Sequence, residues 1–373
     1  MKITTVKTYI VPSDFSETSW GPGEPWVLVK LETDVGIVGW GQAYTFHERE
    51  RAIALAVHKL SPTLDGMDPF CIKPFMTTAL DSITGPGGSN ETAAAVAGIE
   101  IALWDIVGKA LNSPVHRMLG GPCRDRIGVY ANCWSNVQRS PDELATFAAE
   151  QVEQGFKAVK VYPFLYGNTV EDGSTCLGAV RDAVGPDVSV FVDMWYRMRE
   201  EDLPQIIDAL HAHEVPWFED PAVATDVEAL ARIRTQSNLP VISGETLYLK
   251  QDFRRLLEHK AADTLNPDIT LCGILGTTEI AAMADAFSVT VSVHNNNTMT
   301  IGLAAAMQAA AVIPNITPVE YFPRFVKGSN RFSTFAAELD DDGCIPLSHE
   351  PGIGVTVDEA TVAAMEYTPV SED

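Results

Sequence analysis

The chain has 373 residues, too many for one ordinary core, and a net charge of −24, which disfavours nucleic acid and anionic membranes as partners because either would be repelled. Its six scattered cysteines form no CxxC pair, which argues against a zinc or redox motif and fits reduced thiols in a cytoplasm. No apolar run approaches a membrane span and the first residues lack a signal-peptide pattern, so we expect a soluble cytoplasmic protein.

The first third of the chain predicts an α+β domain. Period-2 alternation indicates three strands, the last two joined by a tight turn at TDVG, and apolar residues at helical spacing indicate three helices. The pattern changes after LGGPCRD, so we place this domain at 1–125. The expected bounds are 3–10, 26–33 and 36–42 for the strands, and 48–60, 70–83 and 91–111 for the helices.

A Gly/Pro/Ser-rich segment at 13–25 separates the first two strands. Such segments often form lids over a site, and a plain surface connection is the alternative. Tyr44 and His47 stand at the end of the third strand, in YTFHERE. We include both among the candidate substrate-binding residues.

From RIGVYANCW onward, strand and helix alternate regularly, which predicts a parallel (β/α) barrel over 126–329. Eight strands and seven intervening helices are expected, and the tail, 330–373, returns to the first domain. The expected strand ends are Trp134, Tyr162, Asp193, Glu219, Glu245, Asp268, His294 and Glu320.

Three successive strands of this barrel end in a carboxylate. DVSVFVDMW, VPWFEDP and PVISGET carry Asp193, Glu219 and Glu245, spaced 26 residues apart. Acids at strand after strand indicate the C-terminal mouth of a barrel, where such enzymes place their chemistry. Three acidic ligands at one mouth suit a hard divalent cation, Mg²⁺ before Ca²⁺ or Zn²⁺. The alternative is that each acid only caps the helix that follows.

Other strand ends also carry reactive groups. Lys160 and Tyr162 are alternate residues of one strand and therefore face the same side. A Lys that points into a barrel indicates function, unless it snorkels to the rim. Asp268 and His294 close neighbouring strands, where the carboxylate can orient the imidazole as a general base. Alone, His294 would more often be a satisfied core histidine.

Together these positions resemble the enolase superfamily and, within it, the mandelate racemase/muconate lactonizing enzyme family, in its mandelate racemase group. The resemblance covers nearly the whole chain. ALWDIVGKALNSPVHRMLGG is similar to the cap-domain signature of that group, and NPDITLCGI and FEDP stand where similar segments occur. The order and spacing of these fragments make the resemblance specific.

The resemblance implies an α/β fold, a modified TIM barrel (β/α)7β under an N-terminal α+β capping domain. A Lys or His base beside Mg²⁺ is the known pattern of this superfamily. Family habit also implies a homo-oligomer. The implied site residues are Asp193, Glu219 and Glu245 around one Mg²⁺ per subunit, Asp268 and His294 as a dyad, Glu320 near the substrate carboxylate, and Lys160 neutralising that carboxylate.

One position departs from the racemases of that group. They carry Lys-x-Lys on the second barrel strand, whereas this chain has Tyr162 as the second residue, and a Tyr of ordinary pKa near 10 is a poor base. Members without the second Lys are typically acid-sugar dehydratases. Galactonate-type dehydratases have a His two residues after the first metal ligand, and here that residue is Trp195.

We therefore expect a Mg²⁺-dependent dehydratase that removes the proton next to the carboxylate of a small-molecule sugar acid and expels the 3-hydroxyl, giving a 2-keto-3-deoxy acid. An epimerase, racemase or cycloisomerase with the same first step is the nearest alternative. A non-catalytic binding protein on this fold is another. The expected substrate contacts are Tyr44, His47, Tyr162, Trp195, Arg197, Asn295 to Asn297 and Glu320. A purely structural role is the alternative for Tyr162, Trp195, Arg197 and Asn295 to Asn297.

Overall fold

A computed structural model gives the fold of the chain. Two sheets organise it, one antiparallel and one parallel. Nearly all of the predicted lid segment, 14–24, and the candidate contact His47 lie outside the described residues. The described ranges are 1–13, 25–45, 48–85, 88–165, 167–298, 300–335 and 337–369.

The N-terminal sheet begins with three strands close to their predicted positions. They are β1 (Ile3–Val11), β2 (Trp26–Thr33) and β3 (Val38–Ala43). All pair antiparallel. The predicted tight turn is present, because the Gly36 N–H donates to the Thr33 carbonyl at 3.0 Å. Gly36 has φ 80°, a left-handed value that glycine adopts without strain.

Helices of the capping domain follow this hairpin. They are α1 (Glu50–Leu64), α2 (Ile72–Thr84), α3 (Asn90–Ala110) and the single turn α4 (Val115–Met118). The predicted end of α1 at residue 60 is wrong, since the helix continues through Pro62 to Leu64. Pro62 has no N–H for the His58 carbonyl, and the Ser61 hydroxyl donates to that carbonyl instead, at 2.7 Å.

Two glycines of β3 allow α3 to lie directly on the sheet. A Cβ at Gly41 would be 1.9 Å from the Gly98 carbonyl oxygen, and one at Gly39 would be 2.2 Å from the Ala102 carbonyl oxygen. Any side chain there would push the helix away from the strand. The sequence GWGQ therefore fixes the distance between the sheet and the central helix of the capping domain.

Eight parallel strands form the barrel. They are β4 (Arg126–Asn132), β5 (Ala158–Val161), β6 (Ser189–Asp193), β7 (Phe218–Glu219), β8 (Val241–Ser243), β9 (Thr264–Leu265), β10 (Thr290–Val291) and β11 (Val319–Tyr321). From β4 to β10 each strand pairs with the next, and β11 lies beside β4. The Val291 N–H donates to the Asn315 carbonyl at 3.0 Å and the Thr317 N–H to the Val291 carbonyl at 2.7 Å. These bonds join β10 to β11 and close the barrel.

Seven helices connect these strands within the described ranges. They are α5 (Pro141–Glu153), α6 (Val170–Val184), α7 (Leu203–Ala212), α8 (Val227–Ser237), α9 (Lys250–Glu258), α10 (Ile269–Ala286) and α11 (Ile301–Val312). The predicted (β/α)7β barrel under an α+β domain is confirmed. Of the helices described, α10 alone has the length and hydropathy of a membrane span, but 56% of it is buried in the protein and it breaks at Gly273. It is a core helix of the barrel.

The tail of the chain runs from the barrel back to the first sheet. Its elements are α12 (Val326–Ser329), β12 (Cys344–Pro346), α13 (Glu359–Val362) and β13 (Glu366–Tyr367). Strand β12 pairs antiparallel with β4, and β13 pairs antiparallel with β1. The domain limits of 1–125, 126–329 and 330–373 stay a prediction.

Glu100 joins the capping domain to the barrel. Its buried carboxylate accepts the N–H groups of Ile274 and Leu275, each at 2.8 Å, and the indole N–H of Trp104 at 2.7 Å. Gly273, at φ 71°, breaks α10, so that the segment after it starts with N–H groups that need an acceptor. Burial raises the pKa of Glu100 to about 7, although the three donors oppose the rise.

This raised pKa makes stability depend on pH. The folded protein binds the proton of Glu100 more tightly than the unfolded chain, whose Glu has a pKa of 4.5. The stabilisation is therefore complete below pH 4.5 and is lost as the pH rises through 7, by up to about 3 kcal/mol. We expect Glu100→Gln to remove this slope in urea unfolding between pH 5 and 8. The exposed Glu228→Gln is the control, and an unchanged slope in Glu100→Gln would contradict the assignment.

Candidate active site

The reactive side chains predicted from the sequence meet at the C-terminal mouth of the barrel. Asp193 and Glu219 are register partners on β6 and β7, and Asp268 and His294 form a parallel bridge beyond β9 and β10. Parallel strands in register present their ends at one edge, so residues that are far apart in sequence become neighbours. All four are buried.

Lys160 lies at the centre of one half of this cluster. Its Nζ is 2.7 Å from Glu320 Oε1, 2.8 Å from Glu219 Oε1 and 3.3 Å from Asp193 Oδ2. The side chain is fully buried, so it does not reach the rim, and a buried ammonium requires such partners. Burial would lower the pKa of Lys160, but Glu219 and Glu320 outweigh it and raise the pKa well above its usual value.

His294 lies at the centre of the other half. Its Nδ1 is 2.7 Å from Asp268 Oδ2, and its Nε2 is 2.8 Å from Glu245 Oε2 and 3.1 Å from Glu320 Oε2. Burial would lower the pKa of His294, but the charges of Glu320 and Glu245 and the bond with Asp268 raise it well above its usual value. Glu320 contacts both His294 and Lys160 and so links the two halves.

Asp268 is held rigidly for its contact with His294. Its Oδ1 accepts the backbone N–H and the hydroxyl of Thr270, each at 2.7 Å, and its Oδ2 accepts the Asn296 N–H at 2.9 Å. It caps the start of α10 in this way. A carboxylate fixed on both oxygens fixes the imidazole that bonds to it.

Three side chains have the spacing of metal ligands. Glu219, Glu245 and His294 each place one donor atom within 4.8 Å of the others. Asp193, the first of the acids predicted as ligands, is outside this group, and its Oδ1 accepts the Trp195 N–H at 2.7 Å. Two of the predicted acids, Glu219 and Glu245, therefore lie close enough to share a cation. The third donor of this group is His294 and not Asp193.

The charge balance of the mouth favours a bound cation. Two cationic groups, Lys160 and His294, face a larger set of buried acids. Repulsion among these acids adds to the effect of burial and raises the pKa of Asp193 and Asp220 well above the usual range. Carboxylate oxygens suit a hard divalent cation, which would offset that repulsion. The buried acids of the mouth are Asp193, Glu219, Asp220, Glu245, Asp268 and Glu320.

Several residues of the site escaped the sequence analysis. Asn132 and Asn266 are polar residues at the ends of apolar strands, the same signal that singled out the acids, and could have been found. Ser243, the last residue of the apolar strand β8, carries the same signal, whereas Tyr196 does not. The bonds are Asn132 Nδ2 to Glu320 Oε1 at 2.6 Å, Asn266 Nδ2 to Glu219 Oε1 at 3.1 Å, Tyr196 hydroxyl to Glu245 Oε1 at 2.6 Å, and Ser243 hydroxyl to Asp220 Oδ1 at 2.5 Å.

Backbone strain accompanies these contacts. Trp195, Tyr196 and Asp220 have φ values of 42°, 59° and 41°, in the left-handed region that residues with a Cβ rarely adopt. Such residues cost about 1–3 kcal/mol each and persist where the surroundings hold them. The turn at Trp195 and Tyr196 brings the Tyr196 hydroxyl back to Glu245, which no periodicity of the sequence predicts.

The predicted substrate contacts lie in different settings. Tyr162 is beside the cluster, where its hydroxyl oxygen accepts a hydrogen bond from Asn132 Nδ2 at 2.9 Å. Tyr44 is buried, and its N–H donates to the Thr270 carbonyl at 3.0 Å. The Asn295 amide donates to the Thr298 carbonyl at 3.0 Å, within its own loop. The role of each as a substrate contact stays a prediction.

Two family models match the chain. The Mandelate racemase / muconate lactonizing enzyme, N-terminal domain matches residues 1–120, and the Enolase C-terminal domain-like family matches residues 143–361. The second match alone covers more than half of the chain. Both agree with the capping domain and barrel described above.

Similar proteins include some that are named as sugar-acid dehydratases. A D-xylonate dehydratase of Haloferax volcanii is 29% identical over 97% of this chain and 88% of its own length. A D-galactonate dehydratase of Ralstonia pickettii is 32% identical over 97% of this chain and 94% of its own length.

Solved structures include an enolase from the Sargasso Sea environmental genome sequencing, with a TM-score of 0.90 and 25% identity, covering 98% of this chain and 97% of its own. Another is the 3,6-anhydro-D-galactonate cycloisomerase of Zobellia galactanivorans, with a TM-score of 0.85 and 25% identity, covering 99% of this chain and all of its own.

Removing the buried ammonium should destabilise the metal-free protein. Lys160→Met leaves three carboxylates without their shared cation, so we expect the free energy of unfolding in chelator to fall by about 3–5 kcal/mol. Lys73→Met is the control, because Lys73 pairs with Glu279 at an exposed site and should contribute less than about 1 kcal/mol. Equal losses in the two variants, measured by urea unfolding, would refute the central role of Lys160.

Proposed function

This chain belongs to the mandelate racemase/muconate lactonizing enzyme family of the enolase superfamily, and we propose that it dehydrates a sugar acid in a Mg²⁺-dependent reaction. It is a hydro-lyase, as its dehydratase relatives indicate. The proposed reaction takes a 2,3-dihydroxy carboxylate to a 2-keto-3-deoxy acid. The C2–H and C3–O bonds break, water leaves, and the resulting enol becomes the ketone.

One arrangement carries this proposal. Lys160 on β5 and His294 beyond β10 stand on opposite sides of the mouth, with β11 and β4 between them in the sheet. Glu320 on β11 contacts both. A carboxylate substrate bound between them would have a fixed positive charge at one side and a base at the other, which proton removal next to a carboxylate requires.

The residues that would hold Mg²⁺ in this proposal are Asp193, Glu219 and Glu245. When bound, the ion supplies positive charge for the oxygens of the deprotonated substrate. Their oxygen donors and the excess of buried acids support the choice. With Glu245 engaged in this way, His294 loses one of the charges that raise its pKa, so the neutral imidazole that a base requires becomes accessible.

His294 moves the proton. Its Nδ1 is tied to Asp268, so Nε2 is the nitrogen that faces the mouth and takes the proton from C2. The same nitrogen then returns that proton to the 3-hydroxyl, which departs as water. Asp268 stays ionised and stabilises the imidazolium that forms between the two steps.

The opposite face offers no comparable base. Lys160 is held charged by its carboxylates, and burial raises the pKa of Tyr162 well above its usual value. Lys160 therefore neutralises the substrate carboxylate, and Tyr162 hydrogen-bonds in the pocket. These pKa directions support a reaction in which one residue does all the proton transfer.

Two alternatives share parts of this arrangement. An epimerase, racemase or cycloisomerase would begin with the same proton removal, and a structural neighbour is named a cycloisomerase. A non-catalytic binding protein would need neither dyad nor ligand set. Formation of a 2-keto product from a panel of sugar acids separates dehydration from isomerisation, and exchange of the C2 proton separates both from binding alone.

We also propose a cytoplasmic location and a homo-oligomeric state with one Mg²⁺ per subunit. The six cysteines form no disulfide among the described residues, as reduced thiols would require. Size-exclusion chromatography with light scattering measures the oligomer, and metal analysis of the purified protein measures the ion.

Metal removal is the first test of the mechanism. Chelation should abolish turnover, and added Mg²⁺ should restore it, because the deprotonated substrate loses several kcal/mol of stabilisation. We expect Glu219→Gln to lower kcat by about 10³-fold or more for the same reason. Glu338→Gln, outside the mouth, is the matched control. Full turnover of Glu219→Gln in chelator would sink the ligand assignment.

The identity of the base is the second test. His294→Asn should eliminate both dehydration and exchange of the C2 proton with D2O, and Asp268→Asn should lower both by about 10²-fold or more. Tyr162→Phe should cost less, and only one configuration at C2 should be accepted. Proton exchange is followed by NMR. If His294→Asn exchanges near the wild-type rate, the base is on the face of Lys160 and Tyr162.

A further inference from the structure

A cavity of about 820 Å³ opens beside the candidate active site, between the loops that follow β5 and β6. Phe164, Met194 and Met198 give it an apolar floor, and Trp195 and Arg197 line it as well. It begins one residue beyond Asp193 and two beyond Tyr162. The cavity therefore lies where a chain of hydroxylated carbons would continue after its carboxylate enters the mouth.

The strained turn ties this cavity to the reacting groups. Trp195 donates its N–H to Asp193 and Tyr196 donates its hydroxyl to Glu245, and both residues are left-handed. The same turn brings the Trp195 ring within 6.4 Å of the Trp134 ring, centroid to centroid. Since β5 lies between the strands that carry these two rings, the pair spans the end of β5. The backbone of this turn continues to Arg197, whose N–H donates to the Met194 carbonyl at 2.9 Å.

The guanidinium of Arg197 has N–H groups available to a ligand. Its guanidinium stacks over the Trp195 ring at 4.9 Å, and no described residue offers it a carboxylate or carbonyl partner. The other polar groups of the cavity are occupied, since Arg199 pairs with Asp202 and Asn168 bonds to Gln138. Stacking on Trp195 orients the plane of the guanidinium and leaves the N–H groups at its edge available to an anion.

We propose that Arg197 binds an anionic group at the end of the sugar acid remote from the reacting carboxylate. The substrate is then a dianion, with either a second carboxylate or a phosphate ester at its far end. The planar fork of Arg recognises either group through paired, charge-assisted hydrogen bonds. This inference rests on the proposed dehydration and adds the substrate class to it.

Net charge explains why the protein would need such a residue. A doubly negative substrate approaches a surface of the same sign, so a fixed cation at the entrance must favour the correct orientation. The second anion at Arg197 directs the first carboxylate toward Lys160. A neutral hydroxymethyl end would gain one ordinary hydrogen bond at most, which is weaker than the charge-assisted pair.

Matched substrates test the proposal with the Mg²⁺-loaded protein. Galactonate and galactarate differ only in a hydroxymethyl or carboxylate end, and gluconate and 6-phosphogluconate differ only in the terminal phosphate. For at least one pair we expect kcat/KM to be about 10-fold or more higher for the dianion. Arg197→Gln should lower kcat/KM for the preferred dianion by about 10-fold or more and for its monoanion by less, so that the preference is lost. The pair that shows this preference identifies the remote anionic group as a carboxylate or a phosphate.

Arg199→Gln is the control, because it removes the same charge from the same cavity at a residue that is already paired. It should keep the preference for the dianion. Equal kcat/KM within both pairs, or equal losses in Arg197→Gln for both members of a pair, would overturn the inference while dehydration stands. Absence of a 2-keto product from every sugar acid would overturn the proposed function. Calorimetric binding of galactarate and galactonate to wild type and Arg197→Gln would then decide the anion site separately.

Discussion

A buried ammonium surrounded by carboxylates determines the architecture of the barrel mouth. Lys160 draws together acids from β6, β7 and β11, which would otherwise repel one another in a medium that screens charge poorly. The attraction fixes the carboxylate positions before any ligand arrives. The acids outnumber this one ammonium, and their charges, against the effect of burial, raise the pKa of His294 well above its usual value.

The capping domain is part of this electrostatic arrangement as well as a cover for it. The Trp26 indole donates to the Asn297 carbonyl at 2.7 Å, and the Asn296 amide donates to the Thr45 carbonyl at 3.0 Å. Both bonds hold the loop that begins at His294. Because the loop that carries His294 is fastened from the other domain, small movements of the cap would shift this imidazole as well as change the access of solvent.

The sequence predicts the parts of the fold and site that are marked by a recurring local pattern, an apolar run that ends in a polar residue. Apolar runs that end in an acid predicted the last residues of β6 and β7, but the run that ends in Glu245 missed the end of β8 at Ser243. The same signal at Asn132 and Asn266 was available. Tyr196 was beyond reach, because its approach to Glu245 depends on two consecutive left-handed residues, which only the assembled surroundings make tolerable. The continuation of α1 through Pro62 likewise depends on one hydroxyl that replaces a missing N–H.

The pairing of β13 with β1 has a consequence for synthesis of the chain. Residues near the last one complete the sheet that the first residues begin, and β12 covers β4 in the same manner. The strands β1 to β3 of the capping domain therefore emerge from the ribosome before β13, which is made more than 300 residues later and covers their edge. Until then β1 presents unpaired N–H and C=O groups, which are sites of mispairing and aggregation. Synthesis of β13, and not completion of the N-terminal third, is the event that allows this sheet to close.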